Sequence, residues 1–545
     1  MRISILSNVN LDMVLHDLRK KNEIFSLPGY NQWISVCLNP EQMCSFEPQI
    51  IYLIIDGNAL LEDYETQEDK TKYIDSCFEY ISQLAVNFSQ TNIFVSTIDV
   101  WPEIRTGKSQ NKSSYIMGYW NKCIEQIIKQ RKNILCFDLE NIIANYGRKK
   151  FYSKKLWYSG LIPYDIGAIK ILVQHIEKIN SNILNTRKKL LILDLDNTLW
   201  GGILGENGIN DINLGTSKMG LLYRDCQKKI LQIKNTGVLL AIASKNNMQD
   251  VKNVFEQNRN MVLKWSDFVS IKVNWKPKSI NISEMAQELN LGLESFVFLD
   301  DNVLEREEIL SQLPEVNVVD FPTDITKLPE TINHIFYDYF WCKSITNEDR
   351  NKTQEYHARE LRNEERKNVF SFEEYLKSLE IKIELDCLRE NSLERVLQLI
   401  NKTNQFNTMS IRMESSTLFE YLNNPSKIVI SAKVSDKFGD EGIVAVVILH
   451  KADETNLIIE NFLMSCRVMG RKIEYSIIQK ILNSFYDNGI RKVYSKYRET
   501  KKNEAIKNIW ESMNFKFYQE NDGIRIYEKE IKKIQKDIHQ IYWRK

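Results

Sequence analysis

The sequence predicts a multi-domain α/β protein, with two parallel-sheet units followed by an α+β unit. Three observations carry this expectation. A chain of 545 residues with 43% hydrophobic content has room for about three or four domains with sizeable cores. Apolar runs of strand length alternate with helical patterns from the start, as in parallel sheets with helices on both faces. Residues 189–202 read K-L-L-I-L-D-L-D-N-T-L-W-G-G, so four apolar residues run into two carboxylates, as at the carboxyl end of a buried parallel strand.

Composition sets the outer limits. The 73 basic and 72 acidic residues leave a net charge of +1, which gives no argument for nucleic acid or an anionic membrane as partner. No stretch approaches the ~18 apolar residues of a membrane-spanning helix, and residues 1–6 have neither signal-peptide nor anchor character. Nine cysteines without a C-x-x-C pair fit reduced thiols in a cytoplasm.

In the first domain, expected over residues 1–180, strands are predicted at 3–6, 50–55, 93–98 and 134–137. Helices are predicted at 11–21, 73–87, 115–129 and 165–179, and 180–189 reads as a polar linker. The pattern resembles a flavodoxin- or SGNH-hydrolase-like sheet. That resemblance implies a Gly-Asp-Ser nucleophile near the first strand and a D-x-x-H pair near the last helix. Here Ser7 is followed by Asn8-Val9-Asn10, and Ala168 stands where the histidine would be. The domain is therefore expected to be non-hydrolytic, a docking surface or a scaffold.

The second domain, expected over 187–335, carries the chemistry. Asp194 and Asp196 end the strand at 190–193 and can converge on one point. Paired anions need a cation between them, and an all-oxygen pair suits Mg²⁺. One carboxylate can then attack phosphorus while the other handles a proton. D-x-D also occurs in plain surface turns, but later strand ends repeat the theme. The strand at 238–243 runs into Ser244-Lys245-Asn246, where Ser244 can bind a phosphoryl oxygen or simply cap the next helix. The strand at 268–273 leads to Asn274-Trp275-Lys276-Pro277-Lys278-Ser279, and the strand at 296–299 delivers Asp300-Asp301-Asn302.

These four motifs, with Asp194, Asp196 and Thr198 matching D-x-D-x-T, resemble the haloacid dehalogenase superfamily. The resemblance implies that Asp194 is the phosphoryl-accepting nucleophile, Asp196 the acid/base and Lys278 the charge-balancing lysine. Asp194, Asp196 and Asp301 would hold Mg²⁺, with Asp300 behind them. Trp200-Gly201-Gly202 begins a short flap, leaving no room for a large cap domain.

Residues 336–372 are charged, helical in pattern and free of Gly and Pro, and read as a solvated connector. The third domain, expected over 373–545, has strand patterns at 381–385, 428–434, 443–449, 457–465, 493–496 and 515–518, with a helix at 472–486. Strand, arginine-glycine turn and amphipathic helix resemble the GNAT acyltransferase fold, where the turn faces the pyrophosphate of a pantetheine-bearing cofactor. Here the turn reads Arg467-Val468-Met469-Gly470-Arg471-Lys472, and an ordinary helix start accounts for it equally well.

Together with Lys402-Thr403-Asn404-Gln405-Phe406-Asn407, these features resemble FkbH-like proteins, with a subfamily IIIC phosphatase core, over most of the chain. The resemblance implies transfer of a glyceryl unit from 1,3-bisphosphoglycerate, with loss of phosphate, to the phosphopantetheine thiol of an acyl carrier protein in polyketide-type biosynthesis. Asn246, Asn404, Arg467 and Gly470 are then expected to bind substrate or carrier. Cys466, beside Arg467 and ahead of a helix start, is a candidate to hold the glyceryl group as a thioester. The same cysteine could equally be a small packing residue. A free-standing phosphatase and a non-catalytic docking module are the competing readings.

Overall fold

The computed structural model describes residues 1–545 apart from 28–30, 65, 102–111, 185–186, 210, 217, 346, 368, 534–538 and 544–545. Asn185 and Thr186 of the expected linker thus lie outside the described residues. Three sheets are gathered into two compact units, Met1–Arg187 with His334–Ser344, and Lys188–Asn333 with Ile345–Lys545.

The first unit is built on β1 (Arg2–Ser7), β2 (Glu23–Phe25), β3 (Ile50–Ile54), β4 (Asn92–Ser96) and β5 (Ile134–Phe137). They run parallel in the order β2-β1-β3-β4-β5. The apolar runs mark four of these strands. The short edge strand β2 has one partner and no fully buried residue, so it carries little apolar signal. The last helix, Ile166–Leu184, continues through residues expected to form a polar linker. Asn180 shows why: it is buried, and its Oδ1 accepts the Tyr52 hydroxyl at 2.8 Å, so a polar residue is satisfied within a core. Residues 334–344 also belong to this unit rather than to the connector. Arg187 Nε donates to Phe340 O (2.7 Å) and Asn182 Nδ2 to Tyr337 O (2.7 Å), while Trp341 lies against Phe94.

The second unit holds two sheets. The central one comprises β6 (Leu190–Leu193), β7 (Leu239–Ser244), β8 (Phe268–Val273), β9 (Phe296–Leu299) and β10 (Asn317–Val318), parallel in the order β10-β9-β6-β7-β8. Every residue of β6, β7 and β9 is buried, which is why, up to Ser244 at the end of β7, their sequences are continuous apolar runs rather than alternating ones. With β6 in the middle, the segments leaving β6, β7 and β9 emerge side by side at one edge.

The C-terminal sheet is mixed. Its strands are β11 (Lys382–Cys387), β12 (Lys427–Asp436), β13 (Gly439–Lys451), β14 (Asn456–Met464), β15 (Lys492–Arg498), β16 (Lys516–Asn521), β17 (Ile524–Glu530) and β18 (Gln540–Trp543). Their order is β16-β17-β15-β14-β13-β12-β11-β18, with only β14/β15 and β11/β18 parallel. The helix Ile473–Asp487 connects β14 to β15. The strands β17 and β18 and the helices Glu390–Lys402 and Ser415–Asn423 were not evident from the pattern.

The connector helix Asn347–Lys367 is not merely solvated, as its charge pattern suggests. Thr353, Ala358 and Arg362 are buried. His357 Nε2 pairs with Ser266 O (3.1 Å) and Arg359 Nη1 donates to Leu289 O (3.4 Å), while Arg362 binds Asp436 through Nε (2.6 Å) and Nη2 (2.9 Å).

Candidate active site

The carboxyl edge of the central sheet brings four chain segments together. Asp194 follows β6 directly, and its backbone N–H donates to Leu299 O on β9 (3.0 Å), fixing it beside the Asp300-Asp301 segment. Lys278 opens the helix Lys278–Leu289 after Pro277. Its Nζ donates to Asp194 Oδ1 at 2.8 Å and Asp300 Oδ2 at 2.5 Å. Lys278 is 3% exposed and Asp300 fully buried. Lys276, by contrast, is exposed and reaches the half-buried Glu284 at 3.0 Å, as expected of a surface charge.

Burial works against the charge on Lys278, but the carboxylates of Asp194 and Asp300 outweigh it and hold its pKa above the ordinary lysine value. Burial, and then the Asp194 charge, push the carboxyl of Asp300 upward, with Lys278 opposing. The same two causes raise Asp301. Oxygens of Asp194, Asp300 and Asp301 lie within 4.8 Å of one another, so three carboxylates face one ammonium. That surplus of close oxygen donors fits a hard divalent cation such as Mg²⁺. Asp300 is occupied by Lys278 and by the N–H of Asn302 (2.9 Å). Asp301 is the more accessible of the pair.

The side chain of Asp196 is not part of this group. Its Oδ1 accepts from Trp200 Nε1 (2.9 Å) and from the backbone N–H of Leu204 (3.1 Å), and its Oδ2 accepts from Asn246 Nδ2 (3.0 Å). Three donors fix its orientation, and it lies outside the group Asp194, Asp300 and Asp301 among the described residues, which departs from its expected place as a third ligand beside Asp194. Asn246 also donates to the buried Ser244 Oγ at 3.2 Å. Ser244 is not the cap of the following helix: Asn247 is, accepting from Gln249 and Asp250.

The flap is short, and its glycines have distinct roles. Gly202 has φ +92°, a conformation that disfavours side chains. A Cβ at Gly201 would come within 2.6 Å of the Tyr223 ring. Sequence reasoning missed Trp200, which orients Asp196, and Arg306, whose Nη1 bonds the carbonyls of Asp300 and Asp301, each at 2.8 Å. Both recur one helical turn or so from a motif carboxylate, the only trace they leave in the sequence.

The expected C-terminal site assembles differently. Cys466 is exposed and begins the short turn Cys466–Val468, whereas the helix starts only at Ile473. Arg467 is committed to Glu355 and to Glu441 O (2.5 Å). Neither a long helix start nor an uncommitted guanidinium therefore stands beside Cys466, which corrects the two features on which its expected role rested. Arg471 is buried and binds Asp436 (3.0 Å) and Glu441 (2.6 Å). Gly470 supplies φ +78° between the two arginines, so the arginine-glycine turn seats a charge network. Asn404 hydrogen-bonds Arg412. The segment after Asn404 lies along the end of β14: Met464 N–H donates to Phe406 O (2.9 Å) and Thr408 N–H to Phe462 O (3.0 Å). On its other side Arg498 N–H, at the end of β15, donates to Thr408 O (2.8 Å). The chain itself thus bridges β14 and β15 where their pairing has ended.

At the N-terminal sheet, Ser7 Oγ accepts the N–H of Val9 (3.2 Å) and Asp165 Oδ1 accepts that of Gly167 (2.9 Å). The first is a local turn contact and the second lies at the start of the helix Ile166–Leu184.

No family model and no curated protein matches the chain. Among solved structures, it is similar to the N-terminal part of the protein BF1531 from Bacteroides fragilis, which contains a phosphatase domain and is complexed with Mg. The identity is 26% and the TM-score 0.56, over 63% of this chain and 95% of that one. The GNAT domain of S. lividans PAT (12% identity, TM-score 0.23, 27% of this chain and 89% of that one) is too distant to carry an argument. The same holds for the paia N-acetyltransferase of Thermoplasma acidophilum (13%, 0.23, 27% and 99%). Motif order, sheet order and the first likeness together give the central domain the fold of haloacid dehalogenase-type phosphatases.

Proposed function

We propose that the chain is a Mg²⁺-dependent phosphatase and acyl transferase whose substrate is a small phosphorylated three-carbon acyl phosphate. In this reading 1,3-bisphosphoglycerate gives its glyceryl group to the phosphopantetheine thiol of an acyl carrier protein. The observation that carries the phosphatase half is the group Asp194, Asp300 and Asp301 against a single lysine, with Asp196 oriented separately. The transfer half is supported by the resemblance to FkbH-like proteins.

Asp194 attacks the phosphorus, forming an aspartyl phosphate as the bond to the leaving oxygen breaks. Asp196 gives that oxygen a proton, then takes one from the water that hydrolyses the intermediate. Lys278 offsets charge on Asp194, and Ser244, steered by Asn246, can hold a phosphoryl oxygen. Asp194 and Asp301 would hold Mg²⁺, whose charge would offset that developing on the phosphoryl group. In the transfer step the thiol sulfur bonds to the acyl carbon as the C1–O bond breaks, phosphate leaving with the thiol proton passing to it or to water, and the phosphate on C3 is the one removed at Asp194. With Arg467 neutralised and Cys466 away from a helix end, direct transfer to the carrier thiol fits better than a cysteine relay.

Phosphate release and intact mass of the carrier protein are measured together. Carrier-dependent phosphate release with a glyceryl mass increase is expected. Release indifferent to every carrier would leave a free-standing phosphatase, and no release at all from any phosphorylated three-carbon compound would leave a docking module.

A further inference from the structure

The first unit contains a second group of buried acids, unrelated to the phosphatase-like site. Asp56 follows β3 and Asp99 follows β4, and they are 3% and 1% exposed. At this edge Asn8, just after β1, ties itself to the β3 end: its Nδ2 donates to Asp56 O (2.9 Å), and Asp56 N–H donates to its Oδ1 (2.8 Å). The crevice between β1 and β3, where the strand order reverses and open α/β sheets usually bind ligands, is thereby laced shut. The cavity lies one strand over. It measures about 160 Å³ and is lined by Asp56, Asn58, Glu62, Trp101, Trp157 and Pro163.

Asp56 is only half satisfied. Its Oδ1 accepts the N–H groups of Asn58 (3.1 Å) and Ala59 (3.0 Å), while its Oδ2 has no partner among the described residues, nor has Asp99 Oδ2 or the Tyr164 hydroxyl. A buried carboxylate oxygen without a donor is costly. Asp99 is at least paired through its other oxygen with Arg148. Among the described residues the cavity lining has two acids, no base and two indoles. Acids exclude an anionic ligand, and indole walls suit an organic cation better than a hard metal ion. Trp101 already acts in this way, with Lys154 Nζ 5.7 Å from its ring centre.

We propose that this cavity binds a small protonated amine, whose ammonium group donates to Asp56 Oδ2 and is shared with Glu62 between the Trp101 and Trp157 rings. A cavity of this size accepts about six non-hydrogen atoms. The first domain is then a ligand-binding module rather than a bare scaffold, whatever the outcome at Asp194.

The test is calorimetry on the full chain at saturating Mg²⁺, which keeps the other carboxylates occupied, with propylammonium, 1-propanol and propionate as probes. Propylammonium is expected to bind saturably and at least about tenfold more tightly than the alcohol, with propionate silent. Asp56→Asn should weaken it about tenfold and Trp157→Leu about fivefold. Glu62→Gln, at an exposed position, keeps the test open if Asp56→Asn fails to fold, and it too should weaken binding. No saturable binding of propylammonium, equal binding of 1-propanol, or binding that survives all three substitutions overturns the proposal.

Discussion

Two buried charge clusters in the second unit look alike as ion pairs and differ in balance. Around Lys278, three carboxylates share one ammonium. Around Arg471, Asp436, Glu441 and Glu355 meet Arg362, Arg467 and Arg471, three against three. The balanced cluster satisfies its own charges and ties the connector helix to the β12–β13 hairpin. The unbalanced one keeps surplus negative charge, which a divalent cation or a proton on one of the raised carboxyls relieves. The arginines of the arginine-glycine turn are taken up by ion pairs, whereas the turn after β6 belongs to a group with carboxylates in excess.

Substitutions should separate the two kinds of cluster. The largest effect is expected for Asp194→Asn, which should lower phosphate release by about a thousandfold or more while leaving the fold intact. Turnover within tenfold of wild type would remove Asp194 as nucleophile. Asp436→Ala should do the opposite, costing about 3–5 kcal/mol of stability because it strands buried arginines, with kcat per folded molecule unchanged. A denaturant titration that shows no loss would mean the balanced cluster is not holding the sheet. Mg²⁺ should raise the melting temperature, worth about 2.7 kcal/mol at a hundredfold excess over Kd. EDTA should abolish both that gain and phosphate release, and Asp301→Asn should blunt the gain; a Mg²⁺-indifferent melting curve would contradict the metal assignment.

Asp56 is the corresponding unmatched charge in the first unit, with a smaller expected effect. Burial, opposed by the N–H groups of Ala59 and Asn58, pushes the Asp56 carboxyl up to about 6 from its ordinary 3.8. A raised carboxyl pKa favours the fold fully below the unfolded value, and that advantage is lost as pH rises through the folded one. Asp56→Asn should therefore be more stable than wild type by about 1–3 kcal/mol near pH 8 and no more stable near pH 3.5. A gap independent of pH would show that Asp56 is not the titrating group. Least of all, Cys466→Ala should leave carrier loading unchanged; lost loading, with a hydroxylamine-labile mass on the wild-type enzyme, would restore the cysteine relay.

Much of the fold was legible because its strands are buried on both faces. Residues 190–193, 239–243 and 296–299 are buried and apolar throughout, so the sequence displays them plainly. Strand β2, with no fully buried residue, and β16, exposed along its length, carry no such constraint. The last helix of the first unit ran past its expected end because burial of Asn180 depends on Tyr52, a residue distant in sequence.

What the sequence determined by itself was the set of strand-end motifs and their order, since each is local: an apolar run, then a polar residue that must leave the core. Only the tertiary structure decided which groups share a site. The order β10-β9-β6-β7-β8 puts Lys278 between Asp194 and Asp300 and turns Asp196 toward Trp200 and Asn246. It also decided that Arg467 meets Glu355 on the connector helix instead of facing a thiol. Pairings between segments a hundred residues apart depend on sheet order and on which charges are left unmatched by burial, and neither is written in local periodicity.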